Sequence, residues 1–155
     1  MSIRILDSGK QLTGNKINRT EKHLGRPIPP AYRTFLLKHN GGHPDPSDFR
    51  MAGVHRGTTQ IGTVRWFLGI NVPEETFNLE YVLEIFHDRV PTNLFPFALD
   101  PGGNLICIGA GGDEAGKVYF WDHEREAAEG EPPTDQNLYL IADSFDDFLN
   151  KLGIV

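Results

Sequence analysis

Residues 111–117 (Gly-Gly-Asp-Glu-Ala-Gly-Lys) put glycines at 111 and 116 just ahead of Lys117, nearly the pattern of a loop that cradles phosphate with backbone N–H groups. Val118 stands where a hydroxyl should hold magnesium, and Asp113 and Glu114 would meet a polyphosphate with like charge. The run Val118 to Trp121 favours a strand, whereas phosphate binding needs a helix N-terminus. A hairpin turn is the expectation here. His123-Glu124-Arg125-Glu126 opens like a zinc-protease helix, but Ala127 occupies the place of the second histidine. His39 and His43 do have ligand spacing, yet Gly41 and Gly42 would break the helix that such a site presumes. No metal is expected.

Nucleophilic catalysis finds little in this sequence. Ser2, Ser8, Ser47 and Ser144 include no Gly-x-Ser-x-Gly elbow, and Cys107 sits between Ile106 and Ile108, where a thiol packs rather than reacts. Asp122 and Glu124 are close enough in sequence for acid–base work, but catalytic carboxylates need surroundings that separate their pKa values. A hydrolase built on such carboxylates therefore ranks last, and neither catalytic residues nor a cofactor are expected.

Charge is unevenly spread. Residues 1–40 carry eight Lys/Arg against Asp7 and Glu21, while residues 113–147 carry eleven acids against Lys117 and Arg125. The formal net charge is −6. The acidic part repels nucleic acid and attracts basic surfaces. The basic residues Lys16, Arg19, Lys22 and Arg26 have the spacing of a solvated helix face, with no aromatic stacking motif beside them.

These residues must be positioned by short elements punctuated by 17 glycines and 11 prolines. Helical periodicity and Gly25 predict a helix over about 14–24. Pro27-Ile28-Pro29-Pro30 leads into a second helix bearing Tyr32, Phe35, Leu36 and His39, which Asn40-Gly41-Gly42 should close with a left-handed cap. Residues 43–62 are polar and read as a loop, and 64–70 as a strand. Asn78 should cap a helix bearing Leu79, Val82, Leu83 and Phe86. Strands are expected at 95–99, 104–108, 117–121 and 138–142, followed by a helix capped by Ser144 with Phe145, Phe148, Leu149 and Leu152 on one face. Helices around a strand meander indicate an α+β fold with a largely antiparallel sheet, in one domain spanning 1–155.

The chain has one cysteine, no apolar run long enough for a membrane span, and no secretory leader pattern at its start, so a cytoplasmic location is expected.

The order of motifs resembles a known family. Leu24-Gly25, Ile28-Pro29, Tyr32, Phe35-Leu36 and Asn40-Gly41-Gly42 are similar to the opening of the SUKH superfamily, which includes bacterial immunity proteins and fungal cell-wall synthesis regulators. Phe95-Pro96-Phe97-Ala98 with Asp100, Gly103-Asn104, and Lys117 through His123 resemble its meander, and Phe145, Phe148 and Leu149 its closing helix. The resemblance implies helices packed on an antiparallel sheet, and a non-enzymatic protein that neutralises a toxin by docking to it. The alternative within the family is a regulatory scaffold that binds endogenous proteins without any toxin. Asp113, Glu114, Trp121, Asp122 and Glu124 are the candidate partner-binding residues, with the aromatic ring as anchor and the acids facing a basic partner surface.

Overall fold

In the computed structural model, which describes residues 3–55 and 58–155, nine strands and four α-helices follow one another. The first strand, β1 (Arg4–Leu6), pairs antiparallel with β2 (His43–Asp45). Between them lie α1 (Gly14–Leu24) and α2 (Pro30–Lys38). Thr13 caps α1 by accepting from the Lys16 N–H, and Gly25 ends it at φ 72°, as its sequence signals require. Strands β3 (Asp48–His55) and β4 (Thr58–Thr63) form an antiparallel pair. Then come β5 (Trp66–Phe67), α3 (Leu79–Ile85), β6 (Leu94–Leu99), β7 (Leu105–Gly109), β8 (Val118–Trp121), β9 (Leu138–Ala142) and α4 (Phe145–Lys151). Strands β5 to β9 make a five-stranded antiparallel sheet in sequence order. The fold is α+β, as expected.

The two faces of this sheet are clad differently. Cross-strand partners share a face, so Phe67, Ala98, Ile106 and Phe120 lie on one side and Trp66, Leu99, Leu105 and Trp121 on the other. Helices α2 and α4 cover the first side. There Phe97 meets Tyr32, Phe145 and Phe148 at ring distances of 5.2, 5.3 and 5.8 Å. Phe49 of β3 joins from outside, edge-on to Phe148 at 5.3 Å. Helix α3 lies over the second side, with Phe86 at its C-terminal cap set edge-on to Trp121 at 5.5 Å. Strand β7 is buried along its whole length, which a strand clad on both faces must be.

Several expectations give way. Residues 43–62 are not a loop: β2, β3 and β4 occupy most of them, and residues 56–57 lie outside the described residues. Buried Phe49 and Met51 alternate with Asp48 and Arg50, a two-residue period masked by the segment's polar composition. The strand expected over 64–70 shrinks to two residues, although Val64, Leu68 and Ile70 are buried around it. Asn78 begins α3 but its side chain turns back, accepting from the Val72 N–H and donating to carbonyls of Val72, Glu74 and Glu75. Phe86 falls just beyond the helix.

The Asn40-Gly41-Gly42 segment is not a helix cap either. Helix α2 ends at Lys38, and His39 is already extended. Asn40 is 3% exposed, and its carboxamide donates to the Lys10 and Ile70 carbonyls and accepts from the Ile70 N–H. Gly42 bridges to Phe67 through both backbone groups. Gly41 has φ 69°, and a Cβ there would stand 2.6 Å from the Phe67 oxygen. Tyr32 adds a hydrogen bond from its hydroxyl to the Leu68 carbonyl. The motif stitches α2 and the N-terminal segment to the start of the sheet.

Asn40→Ala strands a buried N–H and two carbonyls, and Gly41→Ala drives a methyl into backbone; each should cost at least about 2 kcal/mol in urea unfolding. Gly111→Ala, at extended φ −176° with open space around it, should stay within roughly 0.5 kcal/mol of the parent. Burial also pushes the Cys107 thiol well above its ordinary pKa, with Arg26 opposing. Native protein should therefore resist a thiol-reactive disulfide at pH 8 and react fully once unfolded. Because the folded pKa is the higher one, the stabilisation is complete below the unfolded thiol's value of about 8.5 and is lost as pH rises beyond it.

Candidate protein-docking surface

The five candidate docking residues do not form one patch. Asp113 and Glu114 lie in a short 3-10 turn between β7 and β8, while Asp122 and Glu124 follow the other end of β8. Four strand residues at about 3.3 Å each keep the pairs more than about 13 Å apart. Trp121 is fully buried, so it offers an approaching partner no surface. Its ring fills the sheet side under α3, and its indole N–H has no acceptor among the described residues. Alternation along β8 placed Trp121 opposite Phe120, but helices cover both sides there.

Asp122 and Glu124 belong to a turn held from several directions. Asp122 accepts from the Glu124 N–H, and its backbone exchanges hydrogen bonds with buried Asn137. Across the turn, Asp100 accepts from the Gly102 and Asn104 N–H groups, and Asn104 accepts from the His123 N–H. The His123 ring reaches the Gly102 carbonyl at 2.9 Å through Nε2. The Asp-Pro-Gly-Gly-Asn turn and the Trp-Asp-His segment thus brace each other. With Asp122 spent as a cap, the Asp122–Glu124 pair is a turn, and His123–Arg125 is a 3-10 turn instead of a zinc-binding helix. Residues 110–117 turn β7 into β8, the hairpin turn expected from residues 111–117. His39 and His43 stand on different elements, His43 bonding the Arg65 carbonyl through Nδ1. Among the described residues no group of His, Cys, Asp and Glu could hold a metal ion.

A concave site does form nearby, from residues that the sequence reading passed over. Asp88 and Arg89 follow α3, and residues 126–133 lead from β8 toward β9; together they line a basin of about 940 Å³. Four carboxylates border it: Asp88, Glu126, Glu129 and Glu131. Arg89 is the cation of the site. Its Nε and Nη2 donate to the two Glu126 oxygens at 3.1 and 2.7 Å, which raises its pKa. The guanidinium also lies 4.5 Å from the Phe86 ring and 5.9 Å from the Trp121 ring. Arg89 therefore ties the basin to the aromatic layer below it, through a bidentate pair and cation–π contact. The excess of acids over 113–147 was the signal for this site, but it could not say which acids would meet.

The remaining resolved pKa shifts arise from structural burial. Tyr32 is raised by desolvation, and Arg26 is lowered by it. Arg26 donates to the Thr92 and Leu94 carbonyls and stacks over Phe95 at 5.1 Å, so it fastens the end of α1 to the sheet. These groups sit in the scaffold, apart from the basin.

A protein from Bacillus subtilis (strain 168), described as the SPbeta prophage-derived uncharacterized protein YokK, is 27% identical to this chain over 155 aligned positions. The match covers 90% of this chain and 74% of that protein. A family model also matches residues 11–151, from just before α1 to the last residue of α4. It takes in the Asn-Gly-Gly stitch, the sheet and the braced turn, and by it the chain belongs to the SMI1 / KNR4 family (SUKH-1).

Proposed function

We propose that this protein is an immunity domain that neutralises a cognate toxin effector by direct docking in the bacterial cytoplasm, without turnover. Family membership supports a binding role, and a prophage-derived relative fits a gene concerned with competition between genetic elements. The observation that carries the reading is how the polar side chains are used. Asn40, Asp100, Asn104, Asp122, His123 and Asn137 all serve the fold through hydrogen bonds to backbone or to one another. The basin formed by Asp88, Arg89 and residues 126–133 is bordered by carboxylates, and Arg89, the one basic residue among its described lining residues, is already paired. Such a surface steers a basic protein face into contact and selects against acidic ones. It would also work against nucleic acid, whose phosphates carry the same sign.

The test is co-expression with the product of the gene immediately upstream. The protein should restore growth against that effector and form a complex with it whose association rate falls about tenfold between 50 and 300 mM NaCl. Growth arrest despite ample expression, with no complex formed, would overturn the reading. Capture of an endogenous host protein by a gene with no effector beside it would favour the regulatory scaffold instead.

A further inference from the structure

The α3 face of the five-stranded sheet is only partly covered. Trp66 stacks on Phe77 at 4.5 Å, and Trp121 lies beneath Phe86 and Arg89. Leu105 and Cys107 are fully buried between these limits. Beyond Trp121 the cover thins. Register pairs Trp121 with Leu138 and Tyr119 with Leu140, and Tyr119 lies two residues from Trp121, so all four share this face. Tyr119 and Leu138 are half-buried, and Leu140 is 49% exposed. An apolar strip therefore runs along β8 and β9 and ends at Trp121, over which Arg89 reaches from the basin.

We propose that this strip and the adjoining basin form one docking surface, and that its occupant is a segment of a partner protein carrying an apolar side chain flanked by arginine or lysine. The proposal rests on the binding reading above and adds where the partner sits and what it presents. Charge complementarity selects the occupant. Glu129 and Glu131 have no cationic partner among the described residues, and Arg89 is held by Glu126 at 2.7 Å. A second copy of this chain docked basin to basin would bring two acidic rims together, and a nucleic acid would bring phosphates to them; both are repelled. The apolar strip supplies what an acidic basin lacks, a dry centre where a hydrophobic anchor excludes water and sets a slow off-rate. Arg89 joins the two halves, held by its aromatic and carboxylate contacts.

The test uses two synthetic peptides of equal length and charge, one alternating Arg and Leu and the other Arg and Gly, with binding read by fluorescence anisotropy. The Arg/Leu peptide should bind at least tenfold more tightly. Leu140→Asn, an exposed change that leaves the charge unaltered, should erase the difference. The double change Glu129→Lys/Glu131→Lys should weaken both peptides at least tenfold. Asp113→Lys/Glu114→Lys, at the far end of β8, should leave both within twofold. Equal binding of the two peptides, or equal loss from both charge reversals, overturns the proposal. The same variants in the growth assay separate the two claims. If the parent protects and Leu140→Asn and Glu129→Lys/Glu131→Lys protect equally well, the docking surface is wrong while the immunity reading stands. If the peptides discriminate as described but the parent protects against no neighbouring effector, the surface stands and the immunity reading falls.

Discussion

The buried carboxamide of Asn40 is the contact on which the rest of the architecture hangs. Its three hydrogen bonds join the end of α2, the segment at Lys10 and the backbone at Ile70. Chain segments can approach it this closely only because Gly9 and Gly69 flank it. A Cβ on Gly9 would come within 2.8 Å of the amide nitrogen, and one on Gly69 within 2.8 Å of the amide oxygen. Asparagine is suited to the task, since one side chain both donates and accepts and so satisfies carbonyl and N–H groups that burial would otherwise leave unpaired. Once this point is fixed, Gly42 can pair with Phe67, and Tyr32 can reach Leu68. The aromatic layer of Tyr32, Phe35, Phe67, Phe97 and Phe145 then closes between helices and sheet.

From that anchored corner the sheet extends in sequence order, and its two faces receive unequal cover. Helices α2 and α4 fill one side with aromatic rings. On the other, α3 is only seven residues long and its cap reaches just to Trp121. The late strands β8 and β9 are left to end a sheet whose middle is dry. A short helix over a five-stranded sheet is thus the reason that apolar side chains meet solvent here, beside the acidic connection that follows β8. Bracing by Asp100, Asn104 and His123 gives that connection a fixed base. A surface ordered before binding loses less conformational freedom on association.

Much of this was legible locally. Helix α1 stops at Gly25 as its sequence announces, Ser144 caps α4 with its hydroxyl accepting from the Asp147 N–H, and β9 falls at 138–142. The hairpin nature of residues 111–117 followed from the pairing of acids with a strand-forming run. The hairpin of β3 and β4 was not legible, because Phe49 and Met51 stand in a largely polar stretch and Phe49 is buried against Phe148, about a hundred residues away. Nor was the placement of Trp121, since alternation says that neighbours face opposite ways but not that both sides are covered.

By itself, then, the sequence determined the end of α1 and the cap of α4, the helical periods, the order of the meander and the overall acidity, all of which are decided by residues within a few positions of one another. Tertiary structure alone decided that Asn40 is a stitch and not a cap, that Asp113 and Glu114 lie apart from Asp122 and Glu124, and that Asp88 and Arg89 close a basin with residues 126–133. The reason is distance along the chain. A cap needs only its own turn, whereas a basin needs two segments some forty residues apart to be brought together by a sheet and a helix that neither segment encodes.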